Sequence, residues 1–91
     1  MNVDINKAAL KDIEKLTDLA RGVIIEQLTL LTVAENLGSM GNVIKMKGSK
    51  HPLYRLKTGH FRIMLEKTDT GVIVLAVVDR KDVYMKKNKK E

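Results

Sequence analysis

Two adjacent segments of the sequence, residues 53–57 and 60–66, alternate between apolar and polar side chains with the period of a β-strand. Thr58 and Gly59 separate them, and a two-residue connection with glycine is typical of a tight β-hairpin. One side of the pleat would carry Tyr54, Leu56, Phe61, Ile63 and Leu65. The other side would carry the basic residues Arg55, Lys57, His60 and Arg62. The pattern therefore predicts one face for a hydrophobic core and one face for an anion.

The chain has 91 residues, which predicts a single domain with one core and a functional site on its surface. It contains no cysteine, which excludes disulfide bonds and thiolate metal sites. Its longest apolar run, residues 72–78, is too short to cross a bilayer, and no secretory signal is visible. We therefore expect a cytoplasmic protein with no membrane partner.

The formal net charge is +6, from 17 Lys and Arg against 11 Asp and Glu, and the pI is about 9.7. Values in this range favour a polyanionic partner. Half of the net charge lies in residues 86–91, a basic C-terminal tail after a predicted domain at 1–85. Such a tail is usually a solvated segment, so the informative cations are those on the predicted strands.

Two helices are predicted ahead of the strands. The first follows Asn6, a suitable N-cap, and has an apolar stripe at helical spacing. A turn at residues 17–18 is predicted to lead into a longer second helix, with a turn at 21–22 as the alternative. The stripe of the second helix contains Ala20, Ile24, Leu28, Leu31 and Ala34. Gly38 follows this stripe and is expected to end the second helix.

Three further segments have strand character. Residues 43–47 alternate, residues 2–5 would suit a short edge strand, and residues 72–78 are apolar on both faces, as in a central strand. Two helices followed by strands predict an α+β domain, in which an N-terminal helical hairpin packs on one face of an antiparallel sheet. The opposite face would stay exposed and display the basic residues of the hairpin.

Three motifs, KMKG, YRLKTGHFRI and DRKDVY, resemble those of the RelE/ParE superfamily of bacterial type II toxin–antitoxin toxins. The resemblance runs from the helical hairpin to Tyr84 and implies a RelE-like two-layer fold. It also implies a cognate antitoxin as partner. The RelE branch is implied to cleave mRNA on the ribosome, and the ParE branch to inhibit DNA gyrase.

The resemblance to the RelE branch also implies which residues form the site. Matching motif positions give catalytic roles to Lys57, Arg62, Arg80 and Tyr84, and an RNA-binding role to Arg55. Basic character on the predicted strands adds Lys45, Lys47 and His60 as RNA-binding candidates. The predicted activity is therefore that of an mRNA endoribonuclease.

RNA cleavage without a metal needs a base for the 2′-hydroxyl proton, positive charge beside the phosphorane, and an acid for the leaving oxygen. Arginine stays charged and grips phosphate with a fork of donors, so the arginines are predicted to stabilise charge. Lys57 is the better base, because flanking cations disfavour its charged form. His60 is a candidate acid, and Tyr84 a candidate for stacking on a base. Two histidines without a clustered carboxylate or cysteine do not form a metal site, so no cofactor is expected.

The alternative function is a ParE-like, non-enzymatic toxin that inhibits DNA gyrase by binding, or a catalytically inactive relative.

The apolar segment 72–78 predicts where the antitoxin binds. Strict alternation would place Val72, Val74, Ala76 and Val78 on one side and Ile73, Leu75 and Val77 on the other. Only one side can face the helices, so the other is expected to be an apolar patch for an acidic, amphipathic antitoxin segment.

Overall fold

The computed structural model describes residues 1–47 and 52–80 of the chain. In chain order it contains strand β1 (Asn2–Ile5), helices α1 (Lys7–Glu14) and α2 (Asp18–Val33), a 3-10 turn (Leu37–Ser39), and strands β2 (Val43–Lys45), β3 (Leu53–Thr58), β4 (Phe61–Lys67) and β5 (Gly71–Asp79). In the described ranges no helix is long and apolar enough to cross a membrane.

The five strands form one sheet in the order β1-β5-β4-β3-β2. Pairing is antiparallel from β2 to β5, whereas β1 pairs in parallel with β5. The predicted α+β class, with both helices on a sheet, is confirmed, and the sheet is mixed because of β1. Both helices and three strands separate β1 from β5 in the chain, so no tight turn forces the two strands to run in opposite directions.

The core lies between the helices and one face of the sheet. Its largest fully buried side chains come from both layers and are Ile24, Leu31, Leu56, Ile63, Leu65, Val72 and Val74. They include predicted apolar residues of the hairpin strands and of the second-helix stripe. Each such side chain stabilises the fold by about 1.5–3 kcal/mol relative to an exposed one. The packed layer therefore holds the opposite face of the sheet in place.

The helical hairpin turns at the first of the two predicted positions. Asn6 Oδ1 accepts from Ala9 N at 2.8 Å to begin α1, and Thr17 Oγ1 accepts from Ala20 N at 3.2 Å to begin α2. Arg21 then bridges back, donating through Nη2 to the carbonyl oxygen of Leu16 at 2.8 Å. The alternative turn at 21–22 is wrong, because the threonine cap at position 17 satisfies the helix start four residues earlier.

Gly38 does not end the second helix, as the sequence had indicated. Helix α2 ends at Val33, and Ala34 is already extended, with ψ of 142°. Gly38 lies instead in the 3-10 turn, where Asn36 Oδ1 accepts from Ser39 N at 2.9 Å. The polar cap at Asn36 and the buried side chain of Leu37 stabilise this separate turn in place of further helix.

The β3–β4 connection lies one residue later than predicted, at Gly59 and His60. Gly59 has a positive φ of 55°, which glycine adopts without steric cost. Thr58 pairs with Phe61, so both belong to the strands. His60 consequently lies in the turn and not on a strand face, contrary to the prediction.

A β-bulge in strand β5 breaks the alternation predicted for residues 72–78. Leu65 pairs with Val74 and Met64 pairs with Ala76, which leaves Leu75 as the extra residue. The core side consequently carries Val72, Val74 and Val77. The other side carries Ile73, Leu75, Ala76 and Val78. Leu75 therefore lies with Ile73 as predicted, but both predicted sets are wrong from Ala76 onward.

The C-terminal half of β5 extends past the end of β1 and is covered by α1. Asn6 N donates to Val74 O at 3.1 Å, where the parallel pairing ends. Further along, Val77 N donates to Asp12 Oδ2 at 3.0 Å. A carboxylate from α1 thus satisfies a strand N–H and fixes this helix against β5.

Gly71 lies where β1 and β5 approach most closely. A Cβ at this buried position would overlap the carbonyl oxygen of Asn2 and lie 2.6 Å from its nitrogen. We expect Gly71→Ala to lower the free energy of unfolding by about 1–3 kcal/mol, because the rigid strand backbone has to move. Urea denaturation measures the change. Gly41→Ala is the control, since no atom lies within 4 Å of its added Cβ; equal stability of the two variants would contradict the prediction.

Candidate anion-binding face

The sheet face opposite the helices, here called the outer face, carries three rows of paired residues. The first row is Lys57, Arg62 and Val78, the second is Ile44, Arg55, Met64 and Ala76, and the third is Leu53, Glu66 and Ile73. Three of the four basic residues predicted to share a face therefore do so. They converge at the end of the sheet next to the β3–β4 turn.

Lys57 and Arg62 are direct partners across β3 and β4. The backbone groups of Lys57 point away from β4, because its N–H donates to Asn42 O at 2.9 Å and its carbonyl accepts from Asn42 Nδ2 at 3.0 Å. Lys57 and Arg62 thus form a non-hydrogen-bonded pair, the type in which Cα atoms are about 4.5 Å apart and side chains are closest. Two cations face each other at the shortest spacing that a sheet allows.

Like charges directly opposite in a sheet are destabilising. In the described part of the chain, the ion pair between side chains is Arg21 with Asp18, and no carboxylate pairs with Lys57 or Arg62. Lys57 is exposed and Arg62 is half-buried, so both are open to solvent. A bound anion would relieve their repulsion.

The guanidinium of Arg62 is held at the turn. Its Nη1 donates to the carbonyl oxygens of Gly59 at 3.2 Å and Phe61 at 3.0 Å. These bonds use one nitrogen of the guanidinium and fix its direction. The remaining donors give Arg62 the fork geometry that suits phosphate.

Arg55 extends the basic surface into the next row. It is half-buried, and its Nε is inaccessible and has no hydrogen-bond partner among the described residues. A buried donor without a partner costs about 1–3 kcal/mol. A depression of about 300 Å³ adjoins it, lined by Gly41, Asn42, Ile44, Arg55 and Lys57. Arg55 therefore combines an unsatisfied donor with an opening beside the cation pair.

The remaining predicted residues divide by position. His60 is exposed in the turn, and its carbonyl accepts from Arg80 N at 2.7 Å, which brings the exposed Arg80 to the same end of the sheet. Lys45 is not on the outer face: it pairs with Tyr54, whose side chain packs on the core, so it lies at the helix side of the sheet edge. Lys47 is exposed beyond the end of β2. Tyr84 lies outside the described residues.

Asn42 is the site residue that sequence reasoning missed. Besides its two bonds to Lys57, its Nδ2 donates to Gln27 Oε1 of α2 at 3.0 Å. Fifteen residues separate Asn42 from each of these partners, so no local pattern could have indicated the contact. No group of three potential His, Cys, Asp or Glu metal ligands occurs in the ranges that the structure describes.

A protein-family model described as the ParE toxin of type II toxin–antitoxin systems, parDE, matches residues 3–84. The chain belongs to this family. The predicted membership of the RelE/ParE superfamily is thereby confirmed, and the match spans the helices and strands of the described ranges apart from Asn2, the first residue of β1. No curated protein matches the toxin.

Solved structures that are similar to the toxin come from complexes of RelE with RelB. The one from Methanococcus jannaschii aligns with a TM-score of 0.73 at 23% identity, over 89% of the toxin and 94% of that chain. The one from Pyrococcus horikoshii OT3 aligns with a TM-score of 0.70 at 22% identity, over 87% of the toxin and 93% of that chain. The one from the intact Escherichia coli RelBE complex aligns with a TM-score of 0.66 at 22% identity, over 85% of the toxin and 93% of that chain. At this identity the likeness establishes the RelE-like fold.

Proposed function

We propose that the toxin is a metal-independent endoribonuclease that cleaves mRNA on the ribosome. The observation that carries this proposal is the Lys57–Arg62 pair, two directly opposed cations on an open face without a carboxylate partner among the described residues. Cations at this spacing suit a phosphate group and would repel a metal ion. Arg55, in the next row, adds a third positive charge.

The reaction divides among these side chains by their chemistry. Lys57 takes the 2′-hydroxyl proton, because it is the one member of the three cations that loses a proton in proteins. The 2′-oxygen attacks phosphorus, the bond to the 5′-oxygen breaks, and a 2′,3′-cyclic phosphate forms. Arg62 and Arg55 stabilise the extra negative charge of the phosphorane.

The leaving 5′-oxygen needs a proton. His60 is the proposed donor, since it lies in the exposed turn that joins the strands of Lys57 and Arg62. Arg80, bonded through its backbone to His60, is proposed to contact a neighbouring phosphate. Tyr84 keeps its predicted role of stacking on a base.

We also propose that a cognate antitoxin neutralises the toxin by covering the outer face. The structures with the same fold are antitoxin–toxin complexes. The half-buried apolar residues of β5 on this face are Ile73, Leu75, Ala76 and Val78. An acidic, amphipathic segment would bury them and reach the cations of the same surface. The toxin would act in the cytoplasm, where ribosomes and antitoxin are present.

Gyrase inhibition is the second candidate function, because the matching family description names ParE and parDE. A gyrase inhibitor acts by binding and has no need of a base opposite an arginine. An inactive relative would keep the fold and the antitoxin but lack turnover.

Expression of the toxin without antitoxin is expected to arrest growth and to produce mRNA cuts within translated codons. Primer extension on RNA from the arrested cells maps such cuts, and blocking translation before induction should abolish them. Intact mRNA together with gyrase-dependent DNA damage would overturn the ribonuclease and favour the second candidate. Arrest with neither effect would contradict both.

A further inference from the structure

Asn42 lies immediately before β2 and stands beside the last paired positions of β3. Pairing of β2 with β3 begins with Val43 opposite Leu56, so Lys57 has no strand neighbour on this side. Asn42 supplies the missing partners: its carbonyl accepts from Lys57 N at 2.9 Å and its Nδ2 donates to Lys57 O at 3.0 Å. Both backbone groups of Lys57 on this side are therefore held by one residue.

The same Nδ2 also donates to Gln27 Oε1 at 3.0 Å. Gln27 is half-buried on α2, adjacent to the core residue Leu28. A side-chain amide nitrogen has two hydrogens, and both are used here. Serine or threonine offers one donor and aspartate offers none, so none of these three residues could replace the amide in this double contact. Asn42 thereby links Lys57 to the packed helix layer.

The repulsion between Lys57 and Arg62 tends to push their strands apart at the end of the hairpin. Arg62 is anchored through its bonds to the turn carbonyls, whereas the exposed Lys57 side chain has no hydrogen bond among the described residues. The β3–β4 pairing places Lys57 opposite Arg62, and the contacts of Asn42 hold the Lys57 backbone from the other side, against this repulsion. Small displacements of a catalytic group are costly, since a shift of about 1 Å lowers rates by about a hundredfold.

We propose that Asn42 is a positioning residue that fixes Lys57 beside Arg62 through its link to Gln27 on α2. The inference rests on the proposed ribonuclease function for its catalytic consequence. Asn42 does not touch the RNA in this role and acts through Lys57.

The test is a double-mutant cycle with Asn42→Ala, Lys57→Ala and both together, measured as cleavage of mRNA on programmed ribosomes. Asn42→Ala is expected to lower kcat by about tenfold to a hundredfold and to change KM by less than about threefold. In the Lys57→Ala background it should add no further loss, because its effect passes through Lys57. Additive losses would overturn the proposal.

Two controls separate positioning from general stability. Asn36→Ala removes a comparable amide from the same connection and is expected to leave kcat unchanged, because its bond goes to Ser39. Gln27→Ala breaks only the link to α2 and should lower kcat partially, which also serves if Asn42→Ala fails to fold. A loss of kcat in Asn36→Ala as large as in Asn42→Ala would contradict the proposal.

Hydrogen exchange of the Lys57 amide gives a readout that is independent of cleavage. Alanine keeps the backbone carbonyl that accepts from Lys57 N but loses both side-chain bonds that hold this carbonyl in place. We therefore expect this amide to exchange at least about tenfold faster in Asn42→Ala than in Asn36→Ala, since its local opening becomes easier. Equal exchange rates would overturn the proposal that Asn42 fixes Lys57. Wild-type toxin that leaves mRNA intact would overturn the proposed function, and the exchange rates then still decide whether Asn42 fixes Lys57.

Discussion

Arg62→Ala is expected to lower the rate of mRNA cleavage by about a hundredfold or more, which corresponds to about 3 kcal/mol of transition-state stabilisation. Arg62 stands directly opposite Lys57, and its guanidinium is fixed by the carbonyl oxygens of Gly59 and Phe61. A pre-oriented charge stabilises the phosphorane without reorganisation, so its loss falls on kcat. Purified toxin and programmed ribosomes give the single-turnover rate.

Two variants make this test specific. Arg62→Lys keeps the positive charge but loses the planar fork, so its rate should lie between those of the wild type and Arg62→Ala. Lys67→Ala removes an exposed cation from the far end of the same strand and should leave cleavage unchanged. Wild-type cleavage by a folded Arg62→Ala protein would remove this arginine from the site.

Leu75→Glu is expected to weaken binding of the cognate antitoxin by at least about thirtyfold, since replacing a central apolar contact typically costs 2 kcal/mol or more. The bulge places Leu75 with Ala76 on the outer face, where both are half-buried. An introduced carboxylate would have to be desolvated and would face an acidic segment. Isothermal titration of the purified variant with the protein encoded beside it measures the affinity.

The loss has two expected causes, the interrupted apolar contact and the repulsion of an acidic partner, and the sign of the introduced charge separates them. Leu75→Lys also interrupts the apolar contact but attracts an acidic partner, so it should lose less affinity than Leu75→Glu. Thr70→Glu places the same negative charge in the exposed β4–β5 turn and serves as the control. An unchanged affinity of Leu75→Glu, with an unchanged melting curve, would show that the patch is covered by the toxin itself or by a second toxin molecule.

Features encoded within a few residues were predictable from the sequence. The apolar residues of the hairpin, such as Leu56 and Ile63, are buried as their alternation indicated, because side chains of a strand point to opposite faces at a period of two. Asn6 and Thr17 begin the helices because the side-chain oxygen of each accepts from the N–H three residues later in the chain, which would otherwise have no partner. The RelE/ParE motifs gave the family and with it the fold.

Some of the site followed from the same local pattern. The alternation of residues 53–66 brought Arg55, Lys57 and Arg62 to one face, which the register confirms. The alternation could not show which face of the sheet Lys45 occupies, because β2 is separate from the hairpin and its register against β3 is set by tertiary pairing. Ile44 takes the position opposite Arg55, and a shift of one residue transfers every side chain to the other face.

The tertiary structure alone decided the features that join distant parts of the chain. Strand β1 pairs in parallel with β5, with Gly71 allowing the two backbones to approach, and the bulge at Leu75 exists only in the pairing of β5 with β4. The clamp from Gln27 through Asn42 to Lys57 joins a helix, a connection and a strand. Local propensity carries no information on such contacts, because their energy exists only when packing of the core has brought the partners within hydrogen-bond distance.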